Sequence, residues 1–98
     1  MTKAYKSAFD AIFEDEPELA ENLKIRSELI NTLAAYIEKH FPNNQKAAKE
    51  FFGESQSTIS AIVNGKIDRF TIDKLVQLTA KAGYEVRVKS VKARKKVA

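Results

Sequence analysis

Between Asn44 and Gly83 the sequence is punctuated too often for any long helix to fit. Asn44, Ser55 and Thr71 each stand just ahead of a stretch with helical apolar spacing. Gly53, Asn64-Gly65 and Gly83 each stand just past the end of one. A short polar side chain at the first position accepts from the free N–H groups of a helix start, and a glycine past the end takes left-handed backbone at little cost. The pattern predicts three short helices, over Gln45–Phe52, Gln56–Val63 and residues 72–82. The first two lie only three residues apart.

The flanks read differently. Over Pro17–His40 the apolar side chains Leu19, Leu23, Ile30, Leu33 and Ile37 recur at helical spacing. Pro17 suits a first turn, and Glu16, Glu18 and Glu21 favour its positive end. Pro42 disfavours helix at Phe41, so this helix should stop near Lys39 or His40. Residues 4–13 predict a further short amphipathic helix. After Gly83, Tyr84, Val86 and Val88 alternate with Glu85, Arg87 and Lys89, the period of a half-buried strand over residues 84–89. A lone strand cannot satisfy its own backbone groups, so it needs a second copy, a partner protein or an unrecognised strand. Residues 90–98 read as a basic flexible tail.

A chain of 98 residues makes one domain, here residues 1–89 ahead of the tail. Its core will be modest, and dimerisation would help it. With no cysteine and one histidine, disulfides, cysteine zinc sites and thiol nucleophiles are excluded, and an easy Ser-His-Asp arrangement is disfavoured. No glycine-rich phosphate cradle occurs either, so the expectation is a protein that is not an enzyme and has no cofactor. Asp68 and Asp73 lack a converging third ligand, and no metal site is expected. No apolar run approaches a membrane span, and residues 1–10 lack a signal-peptide core, so a cytoplasmic location is expected.

Charge is unevenly placed. Residues 1–30 carry four basic and seven acidic side chains, whereas residues 71–98 carry eight basic and two acidic ones. An acidic head and a basic tail are either solvated faces or surfaces for partners of opposite sign.

Two short helices packed across a glycine-containing turn form a helix-turn-helix, here over residues 44–64. The second helix of such a unit can enter the major groove with its N-terminal residues at base edges. Here that N-terminus carries Ser55, Gln56, Ser57, Thr58 and Ser60, while Ile59 and Ile62 would seat the helix on the core. Gln pairs bidentately with adenine, and Ser or Thr reaches phosphates or bases. Lys66 and Arg69 are either plain surface charges or cations placed beside the helix. His40 reads as a cation at a helix end, and Phe51, Phe52 and Phe70 as core.

Gln45, Gly53, Gln56-Ser57, Ile59, Ile62 and Asn64-Gly65-Lys66, with a spacing of eleven from the first glutamine to the second, make the segment resemble the lambda repressor/Cro-like, or XRE, helix-turn-helix family. The resemblance covers about residues 27–82. The run that follows, through Gly83 into the strand pattern, looks like the small HigA-type antitoxins. Two positions depart from the family: Lys49 stands where a small residue is usual and would snorkel, and Glu54 stands where an apolar one is usual and would stay in solvent. The fold so implied is a mainly α, lambda repressor-like bundle of about five helices with a short C-terminal β-strand. The resemblance also implies that Gln45 contacts a phosphate and braces Gln56. Gln56, Ser57 and Thr58 would then face base edges, with Asn64 and Lys66 over the backbone. Its functional implication is a homodimeric repressor of double-stranded operator DNA, acting as an antitoxin that also neutralises an mRNA-cleaving toxin protein. A stand-alone phage-type regulator is the alternative.

Overall fold

A computed structural model describes residues 16–92. The helix expected over residues 4–13 and most of the basic tail lie outside the described residues. Within them four α-helices follow one another: α1 (Pro17–His40), α2 (Gln45–Phe52), α3 (Gln56–Val63) and α4 (Ile72–Lys81). A short 3-10 turn, Ile67–Arg69, lies between α3 and α4.

Local chemistry sets the boundaries. Pro17 occupies the first turn of α1 with Glu18 beside it, and Lys39 and His40 lie in the last turn, where cations meet the negative end of the helix. Phe41 leaves the helix at φ −134° and ψ 54°, outside the α region that a following proline disfavours. The side chains of Asn44, Ser55 and Thr71 accept from the backbone N–H groups of Ala47, Thr58 and Lys74, each at 3.1 Å. Gly53 closes α2 in the left-handed region at φ 68°, where an L side chain is strained. All three caps stand where the sequence pattern puts them, and α4 ends one residue earlier than the spacing predicts.

α1 is the spine: it packs against α3 and α4, and α2 packs against α3. Ile30, Leu33 and Ile37 of α1 meet Phe52, Ile59, Ile62, Leu75 and Leu78 in one core. Among the described residues no buried side-chain polar atom lacks a partner. The 3-10 turn is held from across the fold. Arg26 of α1 donates from Nη1 to the carbonyls of Ile67 at 3.2 Å and Phe70 at 3.1 Å, while its Nε donates to Asn22 at 2.6 Å. Arg26 thus positions the loop that follows α3.

Four expectations need correction. Residues 84–89 form no strand. The last backbone bond in this stretch joins the Tyr84 N–H to the Thr79 carbonyl at 3.2 Å, and beyond it no backbone group up to Lys92 has a partner among the described residues. The alternation is present, but among the described residues no second strand lies beside it. Phe51 is not core: 41% of its surface is exposed, against 1% for Phe52 and 7% for Phe70. It joins an aromatic cluster with Tyr36 and Phe41 at ring distances of 6.1 and 5.6 Å. Lys49 has no need to snorkel, because it is exposed and Ala48 fills the crowded position between helices. Glu54 does not stay in solvent. Its carboxylate pairs with the Lys74 ammonium at 2.7 Å and ties the α2–α3 turn to α4.

Candidate nucleic-acid interface

α3 presents two chemically different sides. Ile59, Ala61 and Ile62 are buried, and Gln56 and Ser57 are exposed. Helical spacing sets Gln56, Ser60 and Val63 on one outward strip with Ser57 beside it. Val63 keeps 40% of its surface in solvent. It escapes the sequence reading because an apolar residue late in a short helix looks like core.

The two glutamines meet. Gln56 Nε2 donates to Gln45 Oε1 at 2.6 Å, which joins the first residue of α2 to the first residue of α3. Gln45 is half-buried and Gln56 exposed, so the bond fixes the side chain of Gln56 while leaving its remaining amide atoms free outward. Asn44 and Ser55 fix the backbones from which these side chains rise.

The other candidates separate into groups. Ser55 serves as the cap, and its hydroxyl also donates to Thr58 Oγ1 at 3.0 Å. Thr58 is half-buried and held in that cap, on a different side of α3 from Gln56. Asn64 donates to the Ser60 carbonyl at 2.9 Å and to the Ser60 hydroxyl at 3.2 Å, closing the end of α3. Lys66 is exposed, while its backbone N–H donates to the Ala61 carbonyl at 2.9 Å. Arg69 reaches back onto the outward face, its Nη2 donating to Ser57 Oγ at 3.1 Å. No local signal ties Arg69 to Ser57; the contact exists because the 3-10 turn brings the loop back along α3.

The elements on either side of α3 carry exposed cations. Lys46 and Lys49 of α2 and Lys66 and Arg69 beyond α3 are all exposed. With Arg69 at Ser57, they supply positive charge on the elements flanking a strip of amide and hydroxyl groups, where exposed Glu50 and Asp68 also stand; cations meet phosphates, and amides and hydroxyls meet base edges. Among the described residues no three His, Asp or Glu side chains converge as a metal site. No described helix is long and apolar enough to cross a membrane.

The helix-turn-helix domain family matches the chain over residues 12–90, from ahead of α1 to beyond α4. No curated protein and no solved structure matches it. The match spans most of the chain and contains the braced pair of short helices just described, so the chain belongs to the helix-turn-helix domain family.

Proposed function

We propose that this protein is a sequence-specific, DNA-binding transcriptional repressor that acts as a homodimer on double-stranded operator DNA. The observation that carries the reading is the 2.6 Å bond between Gln45 and Gln56. A glutamine on an otherwise solvated surface gains little from being held in one rotamer. A glutamine meant to pair with a base edge gains specificity from it. In this reading α3 lies in the major groove, with Gln56, Ser57 and Ser60 at base edges and Gln45 on a phosphate. Asn64 and Lys66 lie over the backbone beyond α3, while Ser55 and Thr58 hold the helix start. The protein works as a binding module without cofactor or catalysis, in the cytoplasm.

The test is Gln56→Ala on an operator found by selection from random duplexes. Affinity for the selected site should fall by about 1–3 kcal/mol, with little change on random DNA. Equal losses on both would mean that the residue does not read bases.

Within this reading the repressor is the antitoxin of a toxin–antitoxin pair and represses its own operon. The HigA-like sequence resemblance supports this, as do the exposed carboxylates of Glu16, just ahead of α1, and of Glu18, Glu21 and Glu28 on its first half. They suit a basic, RNA-cleaving partner protein. Co-expression with the adjacent open reading frame separates this from a stand-alone phage-type regulator. A neighbour whose product is harmless when expressed alone removes the antitoxin role and leaves the repressor.

A further inference from the structure

After α4 the chain runs back along α1. Tyr84 sets its ring 6.1 Å from that of Tyr36, and Val86, Arg87, Val88 and Lys89 border a groove of about 280 Å³ against Ile25 and Leu29. Val86 is half-buried there. Tyr84 and Val88, the next residues on the same side of the segment, leave 45% and 86% of their surfaces in solvent. Between these apolar residues in sequence stand Glu85 and Arg87, 76% and 83% exposed and 3.4 Å apart. The backbone between them has no hydrogen-bond partner among the described residues.

We propose that this segment pairs antiparallel with the same segment of a second copy, on a two-fold axis through Val86. The register follows from charge. Centred on Val86, the pairing sets Tyr84 against the partner's Val88, Val86 against the partner's Val86, and Glu85 against the partner's Arg87. Every apolar residue then faces an apolar one, and both acidic groups face basic ones. Shifting the centre to Glu85 opposes two glutamates, shifting it to Arg87 opposes two arginines, and shifting it to Val88 sets Arg87 against Lys89. Like charges directly opposite destabilise a strand pair, and opposite ones stabilise it. A two-fold interface must be self-complementary, and this five-residue stretch is so in a single register. The pairing covers the exposed Tyr84 and Val88 with each other and supplies a ladder that this backbone lacks among the described residues.

The inference rests on the homodimer reading but not on DNA binding, and it is tested on the full chain without DNA. The wild type should sediment as a dimer. Glu85→Arg and Arg87→Glu each place two like-charge pairs across the axis, so each should weaken the dimer about tenfold. An equimolar mixture of the two variants should restore it, because one chain then presents two cations and the other two carboxylates. Both side chains are exposed, so neither change threatens folding. The absence of cysteine provides a second readout. Directly opposed strand residues lie within disulfide reach. Val86→Cys should therefore cross-link to itself on mild oxidation, and Tyr84→Cys should cross-link to Val88→Cys only when the two are mixed. A monomeric wild type would overturn both the homodimer and this pairing. A dimer indifferent to the charge changes and lacking the Val86→Cys cross-link would overturn the pairing alone, leaving the homodimer on another surface.

Discussion

Residues 44–63 and residues 84–92 have equally clear sequence patterns and very different fates. The first stretch folds into two helices, the second into no regular element. A helix closes its hydrogen bonds within itself, and its exposed ends need only a serine, an asparagine or a glycine close by. Asn44, Gly53 and Ser55 meet that need within twelve residues. A strand must find its bonds on another segment, and the alternation at Tyr84, Val86 and Val88 says which side is apolar without providing that segment. Periodicity therefore predicts a helix by itself, but a strand only together with its neighbour.

Four substitutions grade this difference. Phe52→Ala removes a fully buried ring from the junction of α1, α2 and α3, and should cost about 3–5 kcal/mol in urea-induced unfolding. Gly53→Ala has room, since an added Cβ comes no closer than 3.7 Å to the Lys81 ammonium, so its cost isolates the left-handed backbone. About 1–2 kcal/mol is expected by the same assay, and no loss would mean that the turn can relax to another path. Ser55→Ala removes the cap of α3 and should lower stability by about 1 kcal/mol in thermal unfolding. Val88→Ser should fall within about 0.5 kcal/mol when measured in solution dilute enough to hold single chains. A cost at Val88 matching that at Ser55 would show that the C-terminal segment is as self-sufficient as the helices, and the contrast would fail.

Much of the fold was legible because its signals are local. The end of α1 near His40 is announced by Pro42, and the starts of α2, α3 and α4 by Asn44, Ser55 and Thr71. What escaped depends on distant partners. The 3-10 turn is stapled by Arg26, 41 residues from Ile67, and nothing around either residue marks the bond. Glu54 reads as a solvated carboxylate until Lys74 is brought to it, 20 residues on. Phe51 and Phe52 are adjacent and chemically alike, and only the packing of α2 decides which one enters the core. The candidate site follows the same rule. The pairing of Gln45 with Gln56 was expected from the resemblance and is present, whereas the turning of Thr58 into the Ser55 cap and the return of Arg69 to Ser57 are products of tertiary placement.

In the proposed function the braced face of α3 reads DNA. Fluorescence anisotropy with DNA from upstream of the protein's own gene, against a random duplex and across a range of salt, tests it most directly. A dimer making roughly six to eight phosphate contacts should show log K falling with log salt at a slope of about −5 to −7. The upstream DNA should be preferred by about a hundredfold or more, a threshold set below the roughly 10³- to 10⁷-fold that separates specific from non-specific binding. Equal affinity for both duplexes would contradict the claim and leave the helix-turn-helix as a scaffold for protein contacts.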